Sequence, residues 1–241
     1  MKNISKYTFL LGVLLTINTS CDKDFDEINT SKTSATAIDP AFQLNNAVIN
    51  TSYPGSTLVF EIGIVQQIIS PNSGVLTGAN YNQDNRESTM VLWQTYYRNV
   101  IRNTRDVIDR TKDVPARSNL YNMARILQAY AFMVLTDTYG DIPYTQGGTG
   151  YLDQVFFPAY DSQEDIYPQI IAELGSAASA LDAAGTVETA DILYGGNVSK
   201  WKMFANSILL RAGMRLSKVA ASTAQQVASQ AFSAGVILDN A

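Results

Sequence analysis

Apolar residues recur every three or four positions over several stretches of this chain, and that spacing places them on one face of an α-helix. The clearest stretch predicts a helix over residues 88–112, and a partner helix follows over residues 118–138. Val114 and Pro115 turn the chain between them, so we expect an antiparallel helical hairpin. The apolar stripe of the first helix includes Trp93, which we predict to lie in the core.

A second hairpin with the same pattern follows. Asp161 and Glu164 have the spacing of a capping box and predict the start of a helix. Its partner covers residues 198–218, with Trp201 in the apolar stripe, and a last helix covers residues 222–234. No strand pattern competes. The two tandem hairpins predict an all-α fold, a tetratricopeptide-like stack of helical hairpins with long irregular loops.

Two shorter helices and a long loop precede the hairpins. Asp39 followed by Pro40 is typical of a helix start, and apolar residues from Leu58 to Ile69 predict a second short helix. Residues 71–87 have no apolar period, and loops of this length are usually functional or disordered. This stretch could line a ligand pocket or be a plain solvated loop. Its candidate ligand-binding residues are Asn80, Tyr81, Asn82 and Arg86.

The N-terminus has the features of an export signal. Residues 1–20 are predicted to be a lipoprotein signal peptide, because lysines precede an apolar segment, Tyr7–Ile17, that is too short to span a bilayer. Cys21 is the only cysteine and stands at the expected cleavage point, so we predict it as the lipid attachment site. The alternatives are an ordinary secretory signal with an accidental cysteine, or a short buried helix. Residues 21–38 are predicted to form an acidic tether and linker before a helical domain over 39–241.

Composition excludes several classes of function. Among 241 residues there is no histidine and one cysteine, which excludes Ser-His-Asp catalysis, His-ligated metals and disulfides within the chain. The net charge is −5, and the basic residues are scattered, so no nucleic-acid partner is expected.

Asp137 and Asp141 form the most conspicuous pair of carboxylates. Such a pair could act as acid and base in glycoside hydrolysis, or could share a hard cation such as Ca²⁺. We favour a structural interpretation, in which the helix ends at Gly140 and both aspartates bond amides of the following loop. No catalytic residue, metal ligand or cofactor is predicted.

The segment between residues 141 and 160 is rich in glycine and in aromatic residues, namely Tyr144, Tyr151, Phe156, Phe157 and Tyr160. Exposed aromatic rings could stack on sugar rings, but we favour packing of these side chains onto the hairpin that carries them. Gly195 and Gly196 lack the preceding strand and the lysine of a phosphate-binding loop, so no nucleotide site is expected.

Residues 136–144, TDTYGDIPY, resemble the T-D-x-Y-G-D-x-P-Y signature of SusD/RagB-type nutrient-binding outer-membrane lipoproteins. Residues 161–167 and 197–216 are similar to the next two blocks of that family, in the same order. The acidic run after Cys21 resembles the export signal that Bacteroidetes use to send lipoproteins to the outer leaflet of the outer membrane.

The resemblance implies a lipid-anchored protein on the outer-membrane surface of a Gram-negative bacterium. Such a protein captures a glycan or other nutrient, an oligosaccharide or a peptide, and passes it to a SusC-like TonB-dependent transporter without enzymatic activity. The alternatives are a helical lipoprotein scaffold that binds only a protein partner, and an enzyme acting on surface glycans. Because a helical stack needs a polar end cap and family members are longer, we expect the domain to continue beyond residue 241.

Overall fold

The computed structural model describes residues 38–52, 54–68 and 86–239. Within them every regular element is a helix, apart from one isolated antiparallel bridge between Ile142 and Asp161, so the all-α prediction is confirmed. The helices are α1 Pro40–Ile49, α2 Gly55–Ile64, α3 (Arg86–Thr95, a π-helical segment Tyr96–Ile101, and Arg102–Thr111), α4 Ser118–Tyr139, α5 Gln163–Ala180, α6 Val198–Arg215 and α7 Ala221–Ala234.

The helices form a stack in which each long helix packs on the next. Helix α3 packs on α4, α4 on α5, α5 on α6 and α6 on α7, while α1 lies against α3. Short 3-10 turns, Pro115–Arg117 and Leu216–Lys218, connect α3 to α4 and α6 to α7. This is the predicted tetratricopeptide-like arrangement, with α3–α4 and α5–α6 as the two hairpins.

Helix α4 is the centre of the core because it is buried on almost every side. It contacts α1, α3, α5 and α6. Full burial of a large apolar side chain contributes about 1.5–3 kcal/mol. The largest buried side chains of α4 are Leu120, Met123, Ile126, Leu127, Phe132, Met133 and Leu135.

Two arginines connect different elements of the stack through bidentate hydrogen bonds. Arg125 of α4 donates from Nε and Nη2 to Glu173 of α5 at 2.7 and 2.9 Å. Arg117 donates both to Asp39, at the start of α1, and to Glu188 in the α5–α6 loop. The hydrogen bonds from Arg117 lower the pKa of Asp39 to about 2. Burial raises the pKa of Glu188 in spite of the same guanidinium.

The predicted cap of α1 is confirmed, whereas that of α5 is wrong. Asp39 Oδ1 accepts a hydrogen bond of 2.8 Å from an amide of the first turn of α1. At α5 the capping residue is Ser162, whose Oγ accepts from the amide of Asp165 at 3.1 Å. Asp161 cannot serve as the cap because its carboxylate bonds the preceding loop. Helix α2 ends at Ile64, and residues 65–68 form a turn, so the prediction that this helix continues toward residue 69 is wrong.

Candidate functional site

The loop between α4 and α5, residues 140–162, leaves and re-enters the scaffold at one place. Gly140 has a φ of 77°, a left-handed conformation that ends α4 as the sequence predicted. Beyond it, Ile142 and Asp161 exchange two backbone hydrogen bonds of 2.9 and 3.1 Å. The residues between these two positions therefore form a loop with a closed base.

Asp161 fixes the first turn of this loop. Its Oδ2 accepts hydrogen bonds from the amides of Tyr144 and Thr145 at 2.9 and 2.7 Å, and its Oδ1 accepts from the Thr145 hydroxyl at 3.0 Å. Burial disfavours the ionised carboxylate, but these hydrogen bonds outweigh burial and lower the pKa of Asp161.

Arg105 of α3 holds the carbonyl groups of the same turn. Its Nε donates to Gly147 at 3.2 Å, and its Nη2 donates to Tyr144 and Thr145 at 2.8 and 3.2 Å. Burial lowers the pKa of this arginine. The turn is thus bonded through its amides to an anion and through its carbonyl groups to a cation, so its conformation is strongly determined.

The loop aromatics are mostly exposed, which corrects the prediction that they pack on their own hairpin. Tyr144 packs inward, with its ring centroid 4.6 Å from that of Phe132. Phe157 is 96% exposed and Tyr160 is 64% exposed. Tyr151 and Phe156 are exposed as well. Adjacent exposed apolar rings on a well-determined loop are typical of an interaction surface.

Tyr160 does not stand alone, because its ring stacks on Trp93 of α3. Their centroids lie 6.2 Å apart with an interplanar angle of 21°. Trp93 also contacts Tyr97 at 4.7 Å and the edge of Tyr139 at 5.1 Å. The Tyr97 hydroxyl donates to the Pro143 carbonyl at 2.8 Å. We call the two stacked rings the Trp93–Tyr160 stack. Trp93 was predicted to lie in the core, but it is only half-buried.

The π-helical segment of α3 begins three residues after Trp93. Such segments insert one extra residue into a turn and are frequent at functional sites. It covers Tyr97, whose ring and hydroxyl connect the Trp93–Tyr160 stack to the loop. The backbone irregularity therefore coincides with the candidate site.

A cleft of about 680 Å³ opens beside this stack, between α2, α4 and α6. Tyr139 belongs to both features, since it contacts Trp93 and lines the cleft. We call it the α2–α4–α6 cleft. The other residues that line it are Thr57, Glu61, Ile64, Val65, Tyr130, Val134, Asp137, Thr138, Arg211 and Arg215.

The two carboxylates of the signature stretch bond different elements. Asp141 Oδ1 accepts from the backbone amide of Gln163 at 2.9 Å, as predicted for a structural role. Asp137 bonds no loop amide and corrects that part of the prediction: it accepts from the Tyr167 hydroxyl, and its Oδ2 lies 2.9 Å from Arg215 Nη2. The two carboxylates bond different groups and therefore do not form one site together.

Gly195 and Gly196 form a turn around Asp191 and not a phosphate site. The Gly196 amide and the Trp201 indole N–H both donate to Asp191 Oδ2, at 3.0 and 2.7 Å. A Cβ added at Gly196 would lie 2.8 Å from the Glu188 carbonyl oxygen, which is too close for any side chain. Trp201 is fully buried, so its predicted core position is confirmed.

Most of the sequence-predicted site residues fall where the structure describes no side chain. Cys21, Asn80, Tyr81 and Asn82 lie outside the described residues, and Arg86 is the first residue of α3, with its side chain outside the description. They remain predictions. Sequence reasoning missed the Trp93–Tyr160 stack, because Tyr160 lies on no periodic stripe.

Within the described ranges there is no group of three or more carboxylate, cysteine or histidine residues that could hold a metal ion. No helix in this part of the chain is both long enough and apolar enough to cross a membrane.

The model of the SusD-like family, described as starch-binding and associating with the outer membrane, matches residues 30–241. No curated protein sequence matches the chain.

Several solved structures are similar. A chitin-binding protein is 33% identical with a TM-score of 0.75, and the match covers 84% of this chain and 44% of that one. A protein described as Bacteroidetes AC2a SusD-like is 32% identical with a TM-score of 0.71, covering 84% and 38%. A chitin-binding SusD homologue from Flavobacterium johnsoniae is 28% identical with a TM-score of 0.55, covering 83% and 40%. The chain therefore spans less than half the length of these proteins.

Proposed function

The chain belongs to the SusD-like family, and from that membership we propose that it captures a glycan at the surface of the outer membrane. Two of the similar structures are of chitin-binding proteins, and the family is described as starch-binding. These descriptions support a saccharide as the nutrient. We propose a binding protein and not an enzyme.

The observation that carries this proposal is the Trp93–Tyr160 stack. The faces of aromatic rings are electron-rich, and the C–H groups along one face of a pyranose ring carry partial positive charge, so the two surfaces attract each other and exclude water. Tyr160 presents most of its surface to solvent. Asp161, the next residue, holds the backbone in place through bonds to Tyr144 and Thr145, so the ring loses little freedom when a sugar binds.

The predicted loop residues extend this site in our proposal. Arg86 begins α3 seven residues, or about two helical turns, before Trp93. We propose that Asn80, Tyr81, Asn82 and Arg86 supply hydrogen bonds to the hydroxyl groups of a sugar whose ring lies on the stack.

A binding experiment with matched variants tests the proposal. The full chain would be titrated calorimetrically with chitohexaose and with maltohexaose. Tyr160→Ala should weaken binding about tenfold or more, as expected when about 1.4 kcal/mol of stacking is lost. Tyr151→Ala is the control, because Tyr151 is an exposed tyrosine of the same loop without a described ring partner. Equal affinities of the two variants, or no saturable binding at all, would contradict the proposal and favour a scaffold that binds only a protein partner.

Anchoring and delivery complete the proposed role. Lipidation of Cys21 would hold the protein at the membrane, and the acidic run after it would direct export to the surface. A SusC-like TonB-dependent transporter would receive the glycan. Cys21→Ala should abolish incorporation of labelled fatty acid, since the sulfur is the acyl acceptor and the chain has no second cysteine. Unchanged labelling would contradict the assignment.

A further inference from the structure

The α2–α4–α6 cleft contains two arginines on one wall. Arg211 and Arg215 lie four residues apart on α6, so they share a face of the helix, and both line the cleft. Arg215 pairs with Asp137. Among the described residues Arg211 makes neither an ion pair nor a hydrogen bond. Like charges at this spacing destabilise a helix, and an anion bound between them would remove that cost.

Arg215 pairs with a carboxylate of α4 that a tyrosine of α5 holds in place. The Tyr167 hydroxyl of α5 donates to Oδ1 of Asp137, which is 10% exposed, and Asp137 Oδ2 lies 2.9 Å from Arg215 Nη2. The contact is an ion pair. The Arg215 side chain is 49% exposed, so part of its guanidinium remains accessible to a ligand in the cleft.

The remaining lining suits a sugar better than a bare ion. Tyr130, Tyr139 and Thr138 line the same space with Val134, so aromatic and aliphatic side chains lie beside the arginines. Its volume of about 680 Å³ is large enough for a small oligosaccharide, since pockets for small molecules measure roughly 300–1,000 Å³. Glu61 adds a negative charge on the α2 wall, which disfavours a ligand that is anionic along its whole length.

We propose that the α2–α4–α6 cleft binds an acidic saccharide, with Arg211 and Arg215 as the residues that bind its carboxylate or sulfate group. Both groups present paired oxygens to which a guanidinium can donate two parallel hydrogen bonds. The inference rests on the proposed capture of a glycan. It adds a second binding location, distinct from the Trp93–Tyr160 stack, and a chemical class of ligand.

The test compares acidic and neutral saccharides of one size on the full chain. The probes are trigalacturonate, a monosulfated galactotriose, neutral galactotriose and inorganic sulfate, titrated at low ionic strength. At least one acidic trisaccharide should bind about tenfold more tightly than galactotriose, which is the effect of one charge-assisted hydrogen bond. The two acidic probes distinguish a carboxylate from a sulfate as the recognised group.

Arg211→Gln should abolish the preference for the acidic trisaccharide, and Arg211→Lys should restore part of it. The matched control is Arg98→Gln, an exposed arginine of α3 without a described partner, which should keep the preference. Because Arg211 is also exposed and pairs with no described residue, these variants should fold like the parent protein. Circular dichroism would check this.

Equal binding of acidic and neutral trisaccharides would overturn the inference, as would a preference that survives Arg211→Gln. Binding of inorganic sulfate with no acidic trisaccharide bound would also overturn it, because the ligand would then be an ion and not a saccharide. The proposed function is tested by a separate experiment. It would fail if Tyr160→Ala left the affinities for chitohexaose and maltohexaose unchanged.

Discussion

The two tryptophans of this chain have the same sequence pattern around them but different surroundings in the structure. Each lies on the apolar stripe of a long helix, Trp93 on α3 and Trp201 on α6. Trp201 is fully buried, and its indole N–H donates to Asp191 at 2.7 Å. Trp93 is half-buried and stacks on Tyr160, an exposed residue. Helical periodicity indicates which face a residue occupies, but not what covers that face.

The surroundings of the two rings are also stabilised in different ways. Around Trp201 the contacts are edge-to-face packing against Tyr194 and Phe204 and a bond to a buried carboxylate. Beside Trp93, the loop that presents Tyr160 is held by Asp161 and Arg105 through its backbone polar groups. A buried aromatic cluster contributes mainly stability, whereas polar bonds to a loop can hold exposed rings ready for a ligand.

The largest difference between the two regions should appear in stability. Trp201→Ala should lower the free energy of unfolding by about 3–5 kcal/mol, because it leaves a cavity and removes a donor from Asp191. Trp93→Ala should cost only about 1–2 kcal/mol, since the ring is half-buried. Urea denaturation of both variants would measure the difference. Equal losses would contradict the distinction between a core tryptophan and a site tryptophan.

Removal of the Arg105 guanidinium, which holds the loop, should cause the next largest loss of stability. Arg105→Met keeps the apolar stem but leaves the carbonyl groups of Tyr144, Thr145 and Gly147 without that donor, at a cost of about 2–3 kcal/mol. Amide hydrogen exchange in residues 144–149 should become faster as well. Arg102→Met, an exposed arginine one turn earlier, is the control. A loop that exchanges equally slowly in both variants would show that Arg105 does not hold it.

Asp161 should make the same region sensitive to acid. Its pKa is lowered in the folded state, so its stabilising effect is complete above the ordinary carboxyl pKa and is lost as the pH falls through the lower folded value. Asp161→Asn should reduce stability at neutral pH by about 1–2 kcal/mol and flatten the decline in acid. Thermal melts between pH 2 and 7 would show both effects.

Features that depend on local chemistry were predictable from the sequence. Asp39 caps α1 and Gly140 ends α4, because capping and left-handed glycine act within one turn of chain. Asp161 was misread as a cap, since its partners lie sixteen and seventeen residues earlier in a loop. Arg211 and Arg215 lie on the polar face of α6, and only the packing of α2 and α4 makes that face the wall of a cleft.

The smallest change in stability should follow removal of the outer ring of the stack. Tyr160→Ala should alter the free energy of unfolding by less than about 0.5 kcal/mol, because most of the side chain is already in solvent. Chemical denaturation beside Tyr151→Ala would measure it. A loss above about 1.5 kcal/mol would indicate that Tyr160 stabilises the fold and is not free to serve as a binding surface.

Tryptophan fluorescence during titration with chitohexaose tests the central claim most directly, because the two indoles report on the two regions separately. Trp93 lies against Tyr160, so a sugar bound on the exposed face of that ring should change the environment of Trp93, while Trp201 is shielded by the core. We therefore expect a saturable change in emission that remains in Trp201→Phe and disappears in Trp93→Phe. An emission change that persists in Trp93→Phe with the same affinity would contradict the assignment of the Trp93–Tyr160 stack as the glycan-binding site.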